Sequence, residues 1–145
     1  MLFEFSKTTL RKQFRCQRFR LLLDFARSGG ITGKLFPFKG VPSVSVAVSG
    51  MFLDVNDCAA ITLSCDFSNP NVEGSTQLFF SGEVFNYDGQ RECLIIRWLA
   101  NQKFGWFEMR ERDVEILLDS RIEDERIEMI KIREHLKLHP LQLMR

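Results

Sequence analysis

The residues best equipped for chemistry in this sequence are Arg11 and Arg15, four apart in the run Arg11-Lys12-Gln13-Phe14-Arg15. A guanidinium is a planar fork of donors that grips a phosphate through two hydrogen bonds and stacks on an aromatic base. Lys7, Arg18 and Arg20 surround the pair, and no acidic residue falls between Glu4 and Asp24. This pattern points to an anion site; the competing use of the same arginines is to pair with acids in the charged C-terminal tail. Other residue types give less. His135 and His139 have helix-compatible ligand spacing, but Pro140 follows and no cysteine or second histidine pair joins them, so a metal site is not expected. Asp54 and Asp57 are neighbouring carboxylates without a histidine or nucleophile, and no catalytic constellation is evident.

The elements that would carry these residues are mostly strands. Phe19 to Phe25 is a short apolar run ended by Ser28-Gly29-Gly30, and Ile31 to Phe36 is a second extended piece closed by Pro37. Ser43 to Val48 alternates small polar residues with valine, and Gly50 reads as a tight turn or bulge before Met51-Phe52-Leu53. Ala59 to Phe67, Gln77 to Tyr87 and Cys93 to Leu99 follow, with Asn69-Pro70-Asn71 and Asp88-Gly89 as turn signals. Gly105-Trp106-Phe107-Glu108-Met109 completes the β region. Many short strands with regular turns argue for a barrel or sandwich. From Arg110 the chain is dense in charge, with Val114, Leu117, Leu118 and Ile122 at helical spacing. Ile122, Met129 and Leu136, each seven apart, would align on one helix face and favour self-association or docking of a partner helix. Residues 127–132 also admit a strand, and the helix is the preferred reading.

At 145 residues, one domain is expected, with a core that needs no disulfide staples. Fourteen phenylalanines favour β-rich packing. The net charge is only +1, but its distribution is uneven: residues 1–34 hold eight Lys/Arg against two Asp/Glu, and residues 35–109 hold four against eight. A basic segment on an acidic body suits a local anion site and disfavours a long nucleic-acid interface. Cys16, Cys58, Cys65 and Cys93 lack any C-x-x-C pairing and read as free thiols of a cytosolic protein. No apolar run approaches the roughly 20 residues of a membrane span, and no signal peptide is apparent, so a cytoplasmic location without membrane insertion is expected.

An R-x-x-x-R pair, a strand, a loop, a strand carrying Ser49-Gly50-Met51-Phe52, further strands, Gly105-Trp106-Phe107-Glu108-Met109 and a charged helix together resemble the PilZ domain. The resemblance runs from about Leu10 to Leu118. It implies a mainly-β fold, a small antiparallel β-barrel with a C-terminal α-helix. Residues 1–18 would form the basic segment, 19–109 the barrel and 110–145 the helical tail. It also implies cyclic di-GMP as ligand, with no cofactor, and a signal relayed to a protein partner not named by the sequence. The implied ligand residues are Arg11, Arg15, Ser45 and Gly50. The family's second motif, D/N-x-S-x-x-G, reads here Ser45-x-Ala47-x-x-Gly50, so its acidic position is Ser45 and its serine is Ala47. Each hydrogen bond that these two side chains leave unmade costs about 1–3 kcal/mol. Weakened binding follows, and an adaptor that works without the nucleotide is the alternative. A further alternative is a single-stranded nucleic-acid binder that stacks bases on Phe14 and Phe19.

Overall fold

Phe19, Leu21, Leu23 and Phe25 are buried and alternate with half-buried neighbours along β2 (Phe19–Ala26), the period-two pattern of a strand with one face on a core. The computed structural model describes residues 2–37, 45–55, 57–66, 77–89, 91–99, 102–104, 107–109 and 114–141. Within them lie β1 (Thr9–Arg15), β2, β3 (Gly30–Pro37), β4 (Val46–Val55), β5 (Cys58–Asp66), β6 (Gln77–Asp88), β7 (Arg91–Trp98), β8 (Gln102–Phe104), β9 (Phe107–Met109), β10 (Val114–Asp119) and α1 (Glu125–Leu138). Eight antiparallel strands close into a barrel in the order β1-β10-β7-β6-β5-β4-β3-β2. Each strand from β1 to β6 pairs with the next, and β10 joins β7 to β1. The expected mainly-β antiparallel barrel with a C-terminal helix is the fold found.

Large side chains fill the interior. Trp98 lies 4.9 Å from Phe80 and 6.3 Å from Phe19 between ring centroids. At the other end Phe3 packs on Phe25 at 4.7 Å and on Phe52 at 5.4 Å. The Asp54 carboxylate accepts the backbone N–H groups of Leu2 (2.9 Å) and Phe3 (3.0 Å), so it pins the N-terminal segment as a plug. The expected basic segment therefore does more than precede the barrel: Leu2 and Phe3 belong to its plug, and Thr9–Arg15 is its first strand.

Three further expectations change. Gly50 is neither turn nor bulge but lies within the continuous strand β4, opposite Ile31 and Leu63. A Cβ at this position would sit 1.9 Å from the Thr62 carbonyl oxygen, so glycine is what allows β4 and β5 to approach there. Val114 to Asp119 is a strand, not the start of the helix. Leu117 faces the core while Leu118 faces α1, so both are buried, and a strand covered on two faces imitates helical apolar spacing. Phe107–Met109 pairs with β8 in a separate two-stranded sheet and is not the last barrel strand. Gly105, Trp106 and residues 110–113 lie outside the described residues, as do Ser43 and the Asn69-Pro70-Asn71 signal. Asp88-Gly89 does make the β6–β7 hairpin, with Gly89 at φ 63°.

The helix covers the outer faces of β6, β7 and β10. Asp124 caps it by accepting the Ile127 N–H, and Glu125 and Glu128 occupy the first turn, where the helix dipole favours negative charge. Ile132 is fully buried against Phe85, Cys93, Ile95 and Leu118. Ile122, Met129 and Leu136 pack on the same cluster. The seven-residue stripe is thus occupied by the chain's own barrel. This second layer also explains why Cys93, Leu94, Ile95 and Ile96 are all buried where an exposed strand would alternate.

Candidate functional site

Arg11 and Arg15 both project outward from β1. On an extended chain, residues four apart share a face but stand about 13 Å from each other. Each arginine already has partners. Arg11 makes two bonds to the carboxylate of its cross-strand neighbour Asp24, Nε to Oδ1 at 2.9 Å and Nη2 to Oδ2 at 3.2 Å. Arg15 pairs with Glu125 and donates to the Ile122 carbonyl at 2.6 Å. The tail-pairing use of an arginine is therefore realised at Arg15, while Arg11 uses an acid of β2.

The two arginines line different hollows. Arg11 borders one of about 360 Å³ with Lys12, Glu92, Asp119 and Arg121. Arg15 borders another of about 540 Å³ with Arg18, Glu115, Glu125 and Arg133. Neither is lined by Ser45 or Gly50. Ser45 is exposed just before β4, and the ladder Arg11–Asp24–Thr32–Ser49 sets β1 three strand spacings from β4, about 14 Å. The four candidate ligand residues do not converge on one hollow.

The 360 Å³ hollow marks the barrel's seam. β1 and β10 share only the Phe14–Asp119 and Arg15–Leu118 pairs, extended by the Ser120 N–H to the Gln13 carbonyl at 3.0 Å. Beyond that point Lys12 bridges to Glu92 on β7 at 2.7 Å, with its ammonium over the Phe3 ring. Burial acts to raise the pKa of Asp119, but hydrogen bonds and charge from Arg121 outweigh it, and the carboxyl titrates below its ordinary range. These charges face one another across a seam.

The surface the motif reading missed is the outer side of β4 and β5. Met51 and Leu53 are 68% and 66% exposed, and Val55 extends the same stripe. The outward positions of β4 are Ala47, Ser49, Met51, Leu53 and Val55; those of β5 are Cys58, Ala60, Thr62 and Ser64. None of these carries a charge; Asp66, the last residue of β5, pairs with Ala47 in the same phase and ends the uncharged stretch. The signal was present in the sequence: phase decides a strand's faces, and Met51 and Leu53 are out of phase with the buried Val46 and Val48.

Among the described residues no group of three or more His, Cys, Asp and Glu side chains could hold a metal ion. The four cysteines are free thiols. No helix among the described residues is long and apolar enough to cross a membrane.

Fold and surface together define a mainly-β up-and-down barrel with large side chains in its interior, an external C-terminal helix and a partly apolar outer stripe on β4. Compared with family models, curated proteins and solved structures, the chain matches none of them.

Proposed function

We propose that this protein is a binding module, not an enzyme, and that it works through protein–protein contact at the outer face of β4 and β5. The observation that carries this reading is the stripe of Met51, Leu53 and Val55 on β4, flanked on β5 by the uncharged outward positions Cys58, Ala60 and Thr62. Contiguous exposed apolar surface of this kind marks interaction sites, and depletion of charge is the compositional feature of an interface centre. The barrel supports the same view, because among the described residues its interior is occupied by Trp98, Phe80, Phe19, Phe25 and Phe3. Within the PilZ resemblance, this corresponds to the adaptor that acts without cyclic di-GMP.

A second reading keeps the nucleotide. The 540 Å³ hollow gathers Arg15, Arg18 and Arg133 against Glu115 and Glu125, and guanidinium clusters recognise phosphates. A phosphate there would have to displace Glu125 from Arg15. Isothermal titration with cyclic di-GMP separates the two readings. The adaptor reading expects no saturable heat at high-micromolar ligand. Stoichiometric binding that is lost in Arg15→Ala and Arg18→Ala would establish the second.

A further inference from the structure

Glu83 is 2% exposed, yet its Oε2 has no hydrogen-bond partner among the described residues. Among the described residues its other oxygen meets the Cys58 thiol, at 3.7 Å, a weak donor. The other buried glutamate, Glu128, is handled differently: Tyr87 donates to it at 2.5 Å, Arg91 pairs with it, and Lys131 lies 3.7 Å away. A buried carboxylate is costly unless a cation or a full set of donors meets it, so an unfilled one calls for an explanation.

Among the described residues, the surroundings supply no such cation. Glu83 sits on the outer face of β6 between Ala60 of β5 and Ile95 of β7. It lines a hollow of about 510 Å³ beneath the C-terminal end of α1, with Phe85, Asn86, Cys58, His135 and His139. No described lysine or arginine lines it. The His135 ring stacks on Phe85 at 5.1 Å with 13° between planes, and His139 lies 4.8 Å from His135. Burial, and then the neighbouring His139, hold the His135 pKa below that of an ordinary imidazole, so at neutral pH this ring brings Glu83 no charge.

We infer that this hollow binds a small organic cation, an amine or amidinium joined to a flat apolar group, with the nitrogen at Glu83 and the flat group against Phe85 and His135. The volume falls in the range of small-molecule sites, and a second carboxylate, Asp57, also lines the hollow. A metal ion is disfavoured, because the potential donors do not converge in threes among the described residues. The site borders the β4–β5 face and shares Cys58 with it, but its test reads Glu83, Phe85 and His135, which lie outside that face, so either assignment stands if the other falls.

Benzamidine and its neutral analogue benzamide are the probes, with NMR of the isotope-labelled full chain as the readout. Benzamidine is expected to shift the Phe85 and His135 resonances saturably, and benzamide to bind weaker by about tenfold or more, the loss of one charge-assisted hydrogen bond. Glu83→Gln, which keeps the shape and removes the charge, is expected to weaken benzamidine by a similar factor. Should that variant fail to fold, the Glu83 carboxyl carbon in the unaltered protein serves instead, and it should shift with benzamidine and not with benzamide. Equal binding of the two probes, a carboxyl resonance that ignores benzamidine, or no saturable shift at Phe85 and His135 would each overturn the assignment.

Discussion

The Arg15 guanidinium donates to the Ile122 carbonyl at 2.6 Å and pairs with Glu125, so the last residue of β1 holds the turn that starts α1. The relationship is structural: it joins the strand that closes the barrel to the helix that covers it. Both side chains are partly exposed, so solvent screening limits the gain. Arg15→Ala should therefore destabilise the fold by about 1–2 kcal/mol in urea denaturation. Arg15→Lys should recover only part, because an ammonium cannot serve two acceptors with the geometry of a guanidinium fork. An Arg15→Ala variant as stable as the parent would remove this anchoring role.

Lys12 and Glu92 span the seam where β1 and β10 stop pairing, and both side chains are largely covered. Lys12→Met leaves the Glu92 carboxylate without its cation and should cost about 2–3 kcal/mol, somewhat below the loss for a fully buried pair. The double change Lys12→Met with Glu92→Met should restore most of that loss, since two apolar chains fill the same space without a charge to desolvate. A double-mutant cycle by urea denaturation measures the coupling. Additive losses would mean that the two residues act independently.

Ile132 is fully buried between α1 and the barrel. Ile132→Ala should cost about 3 kcal/mol of stability, within the range of large-to-small core changes. If the Ile122–Met129–Leu136 stripe serves only to dock α1 on its own barrel, substituting Met129 should lower stability and leave the sedimentation coefficient unchanged. A protein that sediments as a larger species and shifts to the monomer in Met129→Glu would instead return that stripe to an intermolecular role.

Much of the architecture was legible before the structure. β2, β3, β5, β6 and β7 fall where alternation and turn residues place them, because each has one clear inward phase or a bounded apolar run. β1 was hidden by its charges. Arg11, Gln13 and Arg15 face outward, and Lys12, on the inward side, is paired with Glu92, far away in sequence. β10 was hidden for the opposite reason, since covering on both faces erased its alternation. The candidate site was less legible. An R-x-x-x-R pair converges on one ligand only if the backbone turns between its members, and here the backbone is extended. Gly50 looked like a motif residue because sequence alone cannot tell a glycine that admits a ligand from one that admits a neighbouring strand.

Burial pushes the Cys65 thiol up to about 12 and raises that of Cys93 as well, whereas an unperturbed thiol titrates near 9.0. The folded-state values lie above the unfolded ones, so the stability linked to these groups is fully present below about pH 9 and is lost as the pH rises toward 12. Each thiol contributes at most about 1.4 kcal/mol per pH unit across that window. Urea midpoints should be independent of these two thiols up to about pH 8 and fall above about pH 9, with a shallower fall in Cys65→Val. The same slope in that variant and in the parent would show that Cys65 is not the source.

The claim that the outer face of β4 is the working surface is tested most directly by placing a photo-crosslinking side chain, one position at a time, in the native host. Met51 and Leu53 are the test positions; Arg121 and Glu134, whose side chains are exposed on other faces, are the controls. The account predicts a discrete protein adduct from Met51 and from Leu53, lost when the other of the two is changed to Glu, and none from the controls. No adduct from β4, or equal adducts from all four positions, would contradict it.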